Sequence, residues 1–129
     1  MMATENILDD KEILIVDDEP DILAALEELL SMCDVTKAAT FEEAKALMET
    51  KDFDLAILDI MGVKGYDLLK KAREKNLIVA MLTASALSVE SLSRSYEEGA
   101  ASFIPKEKIA DIATYLSDIL EAKGKGKSF

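Results

Sequence analysis

The sequence predicts an α/β fold in which helices cover both faces of a parallel sheet, a three-layer, doubly wound arrangement. Short apolar segments alternate along the chain with longer segments whose apolar residues recur at helical spacing. The segments at 55–58 and 77–82 are apolar at every position, as expected of strands that are buried on both faces. We therefore expect one domain of five strands and five helices.

The elements follow in order along the chain. The first strand is EILIV at 12–16, and Pro20 then suits the first turn of an amphipathic helix. A weak strand (CDVTKA) and a second helix (FEEAKALMETK) precede the apolar strand at 55–58. The third helix (GYDLLKKAREK) leads to the strand at 77–82. A serine-rich, marginal fourth helix, the short strand ASFI and an amphipathic final helix (EKIADIATYLSDILEA) complete the pattern.

Composition excludes several classes of function. The 129 residues include 26 acids and 15 bases, and the net charge of −11 disfavours nonspecific binding to nucleic acid. With no histidine in the chain, a His-based triad or a His-liganded metal site is excluded, and the single Cys33 cannot form an internal disulfide. No apolar stretch approaches the roughly 18 residues of a membrane span. We expect a soluble cytoplasmic protein without membrane insertion.

Polar side chains follow four of the predicted strands: Asp17 and Asp18 the first, Asp59 the third, Thr83 the fourth and Lys106 the fifth. In a parallel sheet these carboxyl ends share one edge, where open α/β sheets bind their ligands. If the first and third strands are neighbours, three carboxylates converge there and need a cation to offset their repulsion. Oxygen ligands alone favour a hard ion, Mg²⁺ or Mn²⁺.

These residue types fit phosphoryl transfer. A carboxylate such as Asp59 beside a metal can act as a nucleophile toward phosphorus, while Lys106 offsets charge and Thr83 binds a phosphoryl oxygen. Each residue also has a simpler interpretation. Asp18 or Glu19 would be the N-cap of the first helix, and Asp59 would be a capping residue of the loop that follows it. Thr83 would be an ordinary strand end, and Lys106 a solvated surface lysine.

At this point the chain resembles receiver domains of two-component response regulators, of the stand-alone single-domain type. The resemblance extends roughly over residues 11–122 and is carried by ILIVDDEP, DLAILDIM, GYDLLKKAR, IVAMLTA and EEGAASFIPK. It implies a flavodoxin-like, five-stranded parallel sheet of order 2-1-3-4-5. The expected organisation is a receiver domain at 1–122 followed by a flexible Lys/Gly-rich tail at 123–129.

The resemblance also implies roles for the residues of the site. Asp59 would be the phosphoacceptor, and Asp18 and Asp59 would bind Mg²⁺ directly, with Asp17 helping. The backbone carbonyl of Met61 would be a further ligand, and Lys106 would bridge to the phosphoryl group. The chain would catalyse only its own phosphorylation and dephosphorylation, and would not otherwise be an enzyme.

The implied switch pairs the Thr83 hydroxyl with the Phe103 ring. Phosphorylation would change the partner preference of the face formed by the fourth helix, the fifth strand and the fifth helix. The phosphoryl donor would be a histidine kinase or a histidine phosphotransfer protein, and the downstream protein target is unknown. We expect a monomer or a weak phosphorylation-dependent dimer, with no attached output domain and no direct binding to nucleic acid.

Two departures from the family pattern raise alternatives. The segment DIMGVKG has no proline, and Gly65 follows Asp59 about two residues earlier than is usual in the family. This short loop predicts a more open pocket wall or an early start to the third helix, and it allows a pseudo-receiver that no longer switches. Pro105 precedes Lys106, so the family's cis Lys-Pro bond is absent. A phosphatase of the haloacid dehalogenase type would need an acid at Met61.

Overall fold

One five-stranded parallel sheet organises the protein, in the order β2-β1-β3-β4-β5. The computed structural model describes residues 7–59, 65–83 and 102–124. The strands are β1 (Glu12–Val16), β2 (Asp34–Ala38), β3 (Leu55–Asp59), β4 (Ile78–Thr83) and β5 (Ser102–Pro105). The predicted sheet and its strand order are confirmed.

Helices connect these strands. They are α1 (Pro20–Leu29), α2 (Phe41–Thr50), α3 (Gly65–Glu74), a 3₁₀ helix (Lys106–Asp111) and the C-terminal helix (Ile112–Gly124). The predicted fourth helix lies outside the described residues. In the part of the chain that the structure describes, no helix has both the length and the apolar character needed to cross a membrane.

The apolar residues of the strands are divided between two faces of the sheet. In β1, Leu14 and Val16 belong to the core cluster that also contains residues of α2 and α3, while Ile13 and Ile15 belong to the cluster with residues of α1 and the C-terminal helix. Alternate side chains of a strand point to opposite faces. Both faces of the sheet are therefore covered, which explains why its central strands are apolar throughout.

The strand register brings the predicted site residues to one edge. Val16, the last residue of β1, pairs with Leu58 in β3, so Asp17 and Asp59 each come one residue further along neighbouring strands. Asp59 in turn pairs with Leu82, and Thr83 pairs with Pro105. The chain winds from β1 to β2 on one side and continues through β3, β4 and β5 on the other. Ligands of open α/β sheets bind at such a reversal of strand order.

The start of the final helix differs from the prediction. Helical spacing predicts one α-helix from Glu107, but residues 106–111 form 3₁₀ turns that are interrupted at Lys108, whose φ of −107° and ψ of 18° are not helical. Regular α-helix begins only at Ile112. The half-buried Ile109 and the buried Ile112 are three residues apart, a spacing that places side chains in line on a 3₁₀ helix. The apolar pattern therefore suited both helix types.

The connection from β3 to α3 is described only at its two ends, Asp59 and Gly65. α3 begins at Gly65, where the sequence places the third helix. Residues 60–64, which include Met61, lie outside the described residues, so the more open pocket wall stays a prediction. No cis peptide bond occurs in the described ranges.

A short N-terminal segment packs against the domain before β1 begins. Leu8 is completely buried in the core cluster of the α1 face. Its carbonyl accepts hydrogen bonds from the Lys11 amide (3.1 Å) and the Cys33 thiol (3.3 Å), and the Asp10 amide donates to the Met32 carbonyl (2.9 Å). The hydrophobic core therefore includes a residue that precedes β1.

Candidate functional site

The polar residues that are buried in the described part of the chain are three, and all lie at the carboxyl edge of the sheet. Asp17 is 0% exposed, Asp59 5% and Thr83 7%. Asp59 and Thr83 are the last residues of β3 and β4, and Asp17 directly follows β1. Burying a carboxylate is costly unless charges or hydrogen bonds compensate for the lost water. Burial disfavours the interpretation of Asp59 as a solvated loop cap.

Lys106 supplies the positive charge at this edge. Its Nζ lies 2.9 Å from Asp17 Oδ2 and 3.6 Å from Asp59 Oδ1, and it donates a 2.7 Å hydrogen bond to Glu19 Oε1. The side chain is only 10% exposed, so it is not a solvated surface lysine. The ammonium therefore lies between Asp17 after β1, Asp59 at the end of β3 and Glu19 at the start of α1.

The environment changes the pKa of both members of the closest buried pair. Burial raises the pKa of Asp17, the Glu19 amide and the Lys106 ammonium oppose this rise, and the charge of Asp59 adds to it. Burial alone would lower the pKa of Lys106, but the hydrogen bond to Glu19, the close contact with Asp17 and the charges of Asp17 and Asp59 together raise it. Lys106 therefore remains a cation at neutral pH.

The acids that follow β1 form a compact oxygen cluster. One carboxylate oxygen from each of Asp17, Asp18 and Glu19 lies within 4.8 Å of the others, and the last two side chains are exposed. Glu19 occupies the N-cap position of α1, but its side chain makes no capping hydrogen bond. Instead its amide donates to Asp17 Oδ1 at 2.8 Å and fixes that carboxylate. Glu19 therefore occupies the predicted N-cap position, but its side chain does not cap the helix.

This donor set fits a hard divalent cation. The set consists of the carboxylate oxygens of Asp17, Asp18 and Glu19, with Asp59 nearby. The negative charges of these four acids exceed the single positive charge of Lys106. Mg²⁺ prefers oxygen ligands and binds through one or two carboxylates, with water and phosphate oxygens completing its shell. Asp17, Asp18 and Asp59 were the carboxylates predicted from the sequence, and the structure brings the first two together with Glu19.

The predicted switch residues lie on neighbouring strands. Thr83 ends β4, and Phe103 lies in β5 opposite Met81. Phe103 is half-buried and packs against the core cluster that contains residues of α2 and α3. Their positions are compatible with the predicted pair, but rotamer coupling between them stays a prediction. Met61 and the predicted fourth helix lie outside the described residues.

The sequence indicated Glu19 only as a possible helix cap and not as a residue of this site. The available signal was the run of three consecutive acids, Asp17-Asp18-Glu19, directly after the first strand. Its partner Lys106 is 87 residues away along the chain, so only the fold could join them.

Comparisons with known proteins agree with this geometry. The family described as the response regulator receiver domain matches residues 13–117. The two-component response regulator ARR18 of Arabidopsis thaliana is 35% identical over 100 residues, covering 73% of this chain and 16% of that protein. The probable transcriptional regulator ycf27 of Cyanophora paradoxa is 35% identical over 116 residues, covering 82% of this chain and 48% of that protein.

Solved structures share the fold. A CheY-like response regulator receiver domain protein from Methanospirillum hungatei JF-1 has a TM-score of 0.81 and 31% identity, covering 91% of this chain and 98% of that one. The receiver domain of DrrB, described as BeF₃-activated, has a TM-score of 0.76 and 25% identity, covering 87% and 98%. This chain spans about half the length, or less, of the curated relatives named above. The comparisons lend no support to the pseudo-receiver alternative.

Proposed function

Because the chain belongs to the receiver-domain family of two-component response regulators, we propose that it accepts a phosphoryl group on Asp59 with the help of Mg²⁺. The observation that carries the proposal is the position of the Lys106 ammonium. It lies 2.9 Å from Asp17 and 3.6 Å from Asp59, beside buried polar groups at the carboxyl edge of the sheet. An ammonium this close to the phosphoacceptor can offset the charge on the oxygens of an incoming phosphoryl group.

The proposed reaction is an in-line transfer. A carboxylate oxygen of Asp59 attacks phosphorus and forms a new P–O bond, while the bond from phosphorus to the donor breaks and its electron pair leaves with the donor. Lys106 offsets the charge on the phosphoryl oxygens, and the Thr83 hydroxyl donates to one of them. Asp17 and Asp18, with Asp59 and the Met61 carbonyl, would hold Mg²⁺, which supplies further charge neutralisation.

The proposed donor is a histidine kinase or a histidine phosphotransfer protein. The chain has no histidine of its own, so the phosphohistidine must come from the partner. Receiver domains are signalling domains rather than classical enzymes, and the chemistry proposed for this chain is limited to its own aspartate. A cytoplasmic location, a monomeric or weakly dimeric state, and action without direct binding to nucleic acid stay predictions from the sequence.

The proposed output is a change in binding to a protein target. Phosphorylation of Asp59 would add negative charge next to Lys106. Lys106 is the first residue of the 3₁₀ helix that continues into the C-terminal helix. Thr83 would move toward the phosphoryl group, and Phe103 would fill the space it leaves. The binding face would comprise β5, the C-terminal helix and the predicted fourth helix.

The proposal is tested with a small phosphodonor. Incubation with acetyl phosphate and Mg²⁺ should add one phosphoryl mass to the intact protein, and Asp59→Asn should abolish the shift. Asp118→Asn, which removes an exposed acid from the C-terminal helix, serves as the matched control and should be phosphorylated normally. Absence of phosphorylation and of beryllofluoride binding in the wild-type protein at millimolar Mg²⁺ would refute the proposal.

We also propose that the short loop after Asp59 alters the lifetime of the aspartyl phosphate. Insertion of a family-length loop that contains Met-Pro between Asp59 and Gly65 should change the dephosphorylation rate, because the family resemblance implies that this loop would form one wall of the pocket. The rate is followed by loss of the phosphoryl mass after removal of the donor. An unchanged rate would mean that the loop is only a spacer.

A further inference from the structure

We propose that Glu19 is a positioning residue that holds the Lys106 ammonium in the unphosphorylated protein and competes for it with an anion at Asp59. The inference rests on the proposed function, because it concerns how readily this site accepts a phosphoryl group. It gives a regulatory role to an acid that would otherwise be read as a helix cap.

The distances rank the three partners of the ammonium. Lys106 Nζ is 2.7 Å from Glu19 Oε1 and 2.9 Å from Asp17 Oδ2, but 3.6 Å from Asp59 Oδ1. The first two lie within hydrogen-bonding distance, and the third lies beyond it. The ammonium is therefore held toward the start of α1, away from the phosphoacceptor. An anion on Asp59 can gain full contact only if the ammonium shifts or is shared.

Glu19 and Asp17 differ in how easily they could release the lysine. Asp17 is fully buried, and its other oxygen accepts the hydrogen bond from the Glu19 amide. The Glu19 side chain is 56% exposed and makes no capping hydrogen bond, so water can replace Lys106 as its partner. A half-exposed ion pair is weak and easily exchanged. Glu19 is therefore the partner that an anion at Asp59 would displace.

Removal of this contact should make the site accept an anion more readily. In Glu19→Gln the ammonium keeps Asp17 and is free to turn toward Asp59. Because exposed ion pairs contribute modestly, we expect beryllofluoride, a phosphoryl mimic, to bind about two- to fivefold more tightly than to the wild-type protein. If Glu19 instead kept Lys106 correctly oriented for the anion, its removal would weaken binding.

The test is an NMR titration with beryllofluoride at saturating Mg²⁺, comparing wild type, Glu19→Gln, Glu19→Asp and Glu28→Gln. Glu28 is an exposed acid of the same helix, and its loss should leave the affinity unchanged. Glu19→Asp keeps the charge but shortens the side chain, so it should also tighten binding. The inference is overturned if Glu19→Gln binds beryllofluoride as tightly as the wild type or more weakly. It is also overturned if Glu19→Gln binds more tightly but Glu19→Asp has the wild-type affinity, because that result would indicate a general effect of charge.

A second measurement separates this inference from the proposed function. Acylation of Lys106, quantified by peptide mass spectrometry without Mg²⁺ or phosphodonor, should be faster in Glu19→Gln than in the wild type. If the wild-type protein binds no beryllofluoride, the proposed function fails, but acylation still reports whether Glu19 holds the lysine. Equal acylation rates in the two proteins would overturn the inference by themselves.

Discussion

Replacement of Lys106 by methionine tests the electrostatics of the site through stability, without any phosphodonor. Methionine keeps much of the length of the side chain and removes the ammonium. The variant leaves Asp17 fully buried without the cation that lies 2.9 Å away in the wild type. It also leaves Asp17 and Asp59 to repel each other without the ammonium between them.

The size of the effect follows from the contacts that remain. Removing one partner of a buried ion pair costs about 3–5 kcal/mol. Here Asp17 keeps the 2.8 Å hydrogen bond from the Glu19 amide, which lessens the penalty. The contact with the half-exposed Glu19 contributes at most about 1 kcal/mol. We therefore expect a loss of about 2 kcal/mol in the free energy of unfolding at neutral pH without Mg²⁺, below the range for a fully enclosed pair.

The pH dependence of this loss has a defined sign. Burial raises the pKa of Asp17 even with Lys106 present, and removal of the ammonium raises it further. An acid with a higher pKa in the folded state binds its proton more readily there, so folding becomes more favourable as the pH falls. The loss caused by Lys106→Met should therefore be smaller at about pH 5 than at about pH 7.5.

Urea unfolding followed by circular dichroism measures both effects. With a typical urea dependence, a loss of about 2 kcal/mol lowers the midpoint by roughly 1 M. Lys108→Met removes an exposed lysine two residues further on and should change stability by less than about 0.5 kcal/mol. Equal midpoints for the two variants, or a loss that grows toward acid pH, would refute the electrostatic account.

Three further predictions concern the rest of the fold. Leu8→Ala should lower the free energy of unfolding by about 3 kcal/mol because the side chain is fully buried, whereas Ile7→Ala, at a half-buried position, should cost less than half as much in the same urea titration. Thr40→Ala should cost about 1 kcal/mol, since Thr40 Oγ1 accepts the Glu43 amide hydrogen bond at the start of α2, and Thr40→Ser should retain most of it; a full loss in the serine variant would contradict the capping explanation. Burial raises the pKa of the Cys33 thiol to about 11 from 9.0, so iodoacetamide should alkylate it about a hundredfold more slowly in native than in urea-unfolded protein at pH 8, with the native rate rising as the pH increases; equal rates would refute this.

The fold could be predicted from sequence because its signals are local. β3 and β4 are apolar at nearly every position, and Pro20 begins α1. The carboxyl-edge rule then placed Asp59 and Thr83 at one edge, and both are buried there. Nothing beyond the alternation of elements and the parallel arrangement was needed to bring them together.

The remaining features depend on contacts between distant parts of the chain. Leu8 reads as one apolar residue in an acidic leader, and only its packing against the α1 face shows that it belongs to the core. Glu19 reads as a helix cap because the pairing with Lys106 requires the folded sheet. The 3₁₀ helix from Lys106 was missed since the spacing of Ile109 and Ile112 fits either helix type.

The buried N-terminal leucine has a practical consequence for protein engineering. A chimera that transplants only the family-matched residues 13–117 would omit Leu8, and with it a core side chain and the acceptor of the Cys33 thiol hydrogen bond. The same cut would remove the last turns of the C-terminal helix, including the buried Ile119. A transplant that spans residues 7–124 would carry both ends of the hydrophobic core.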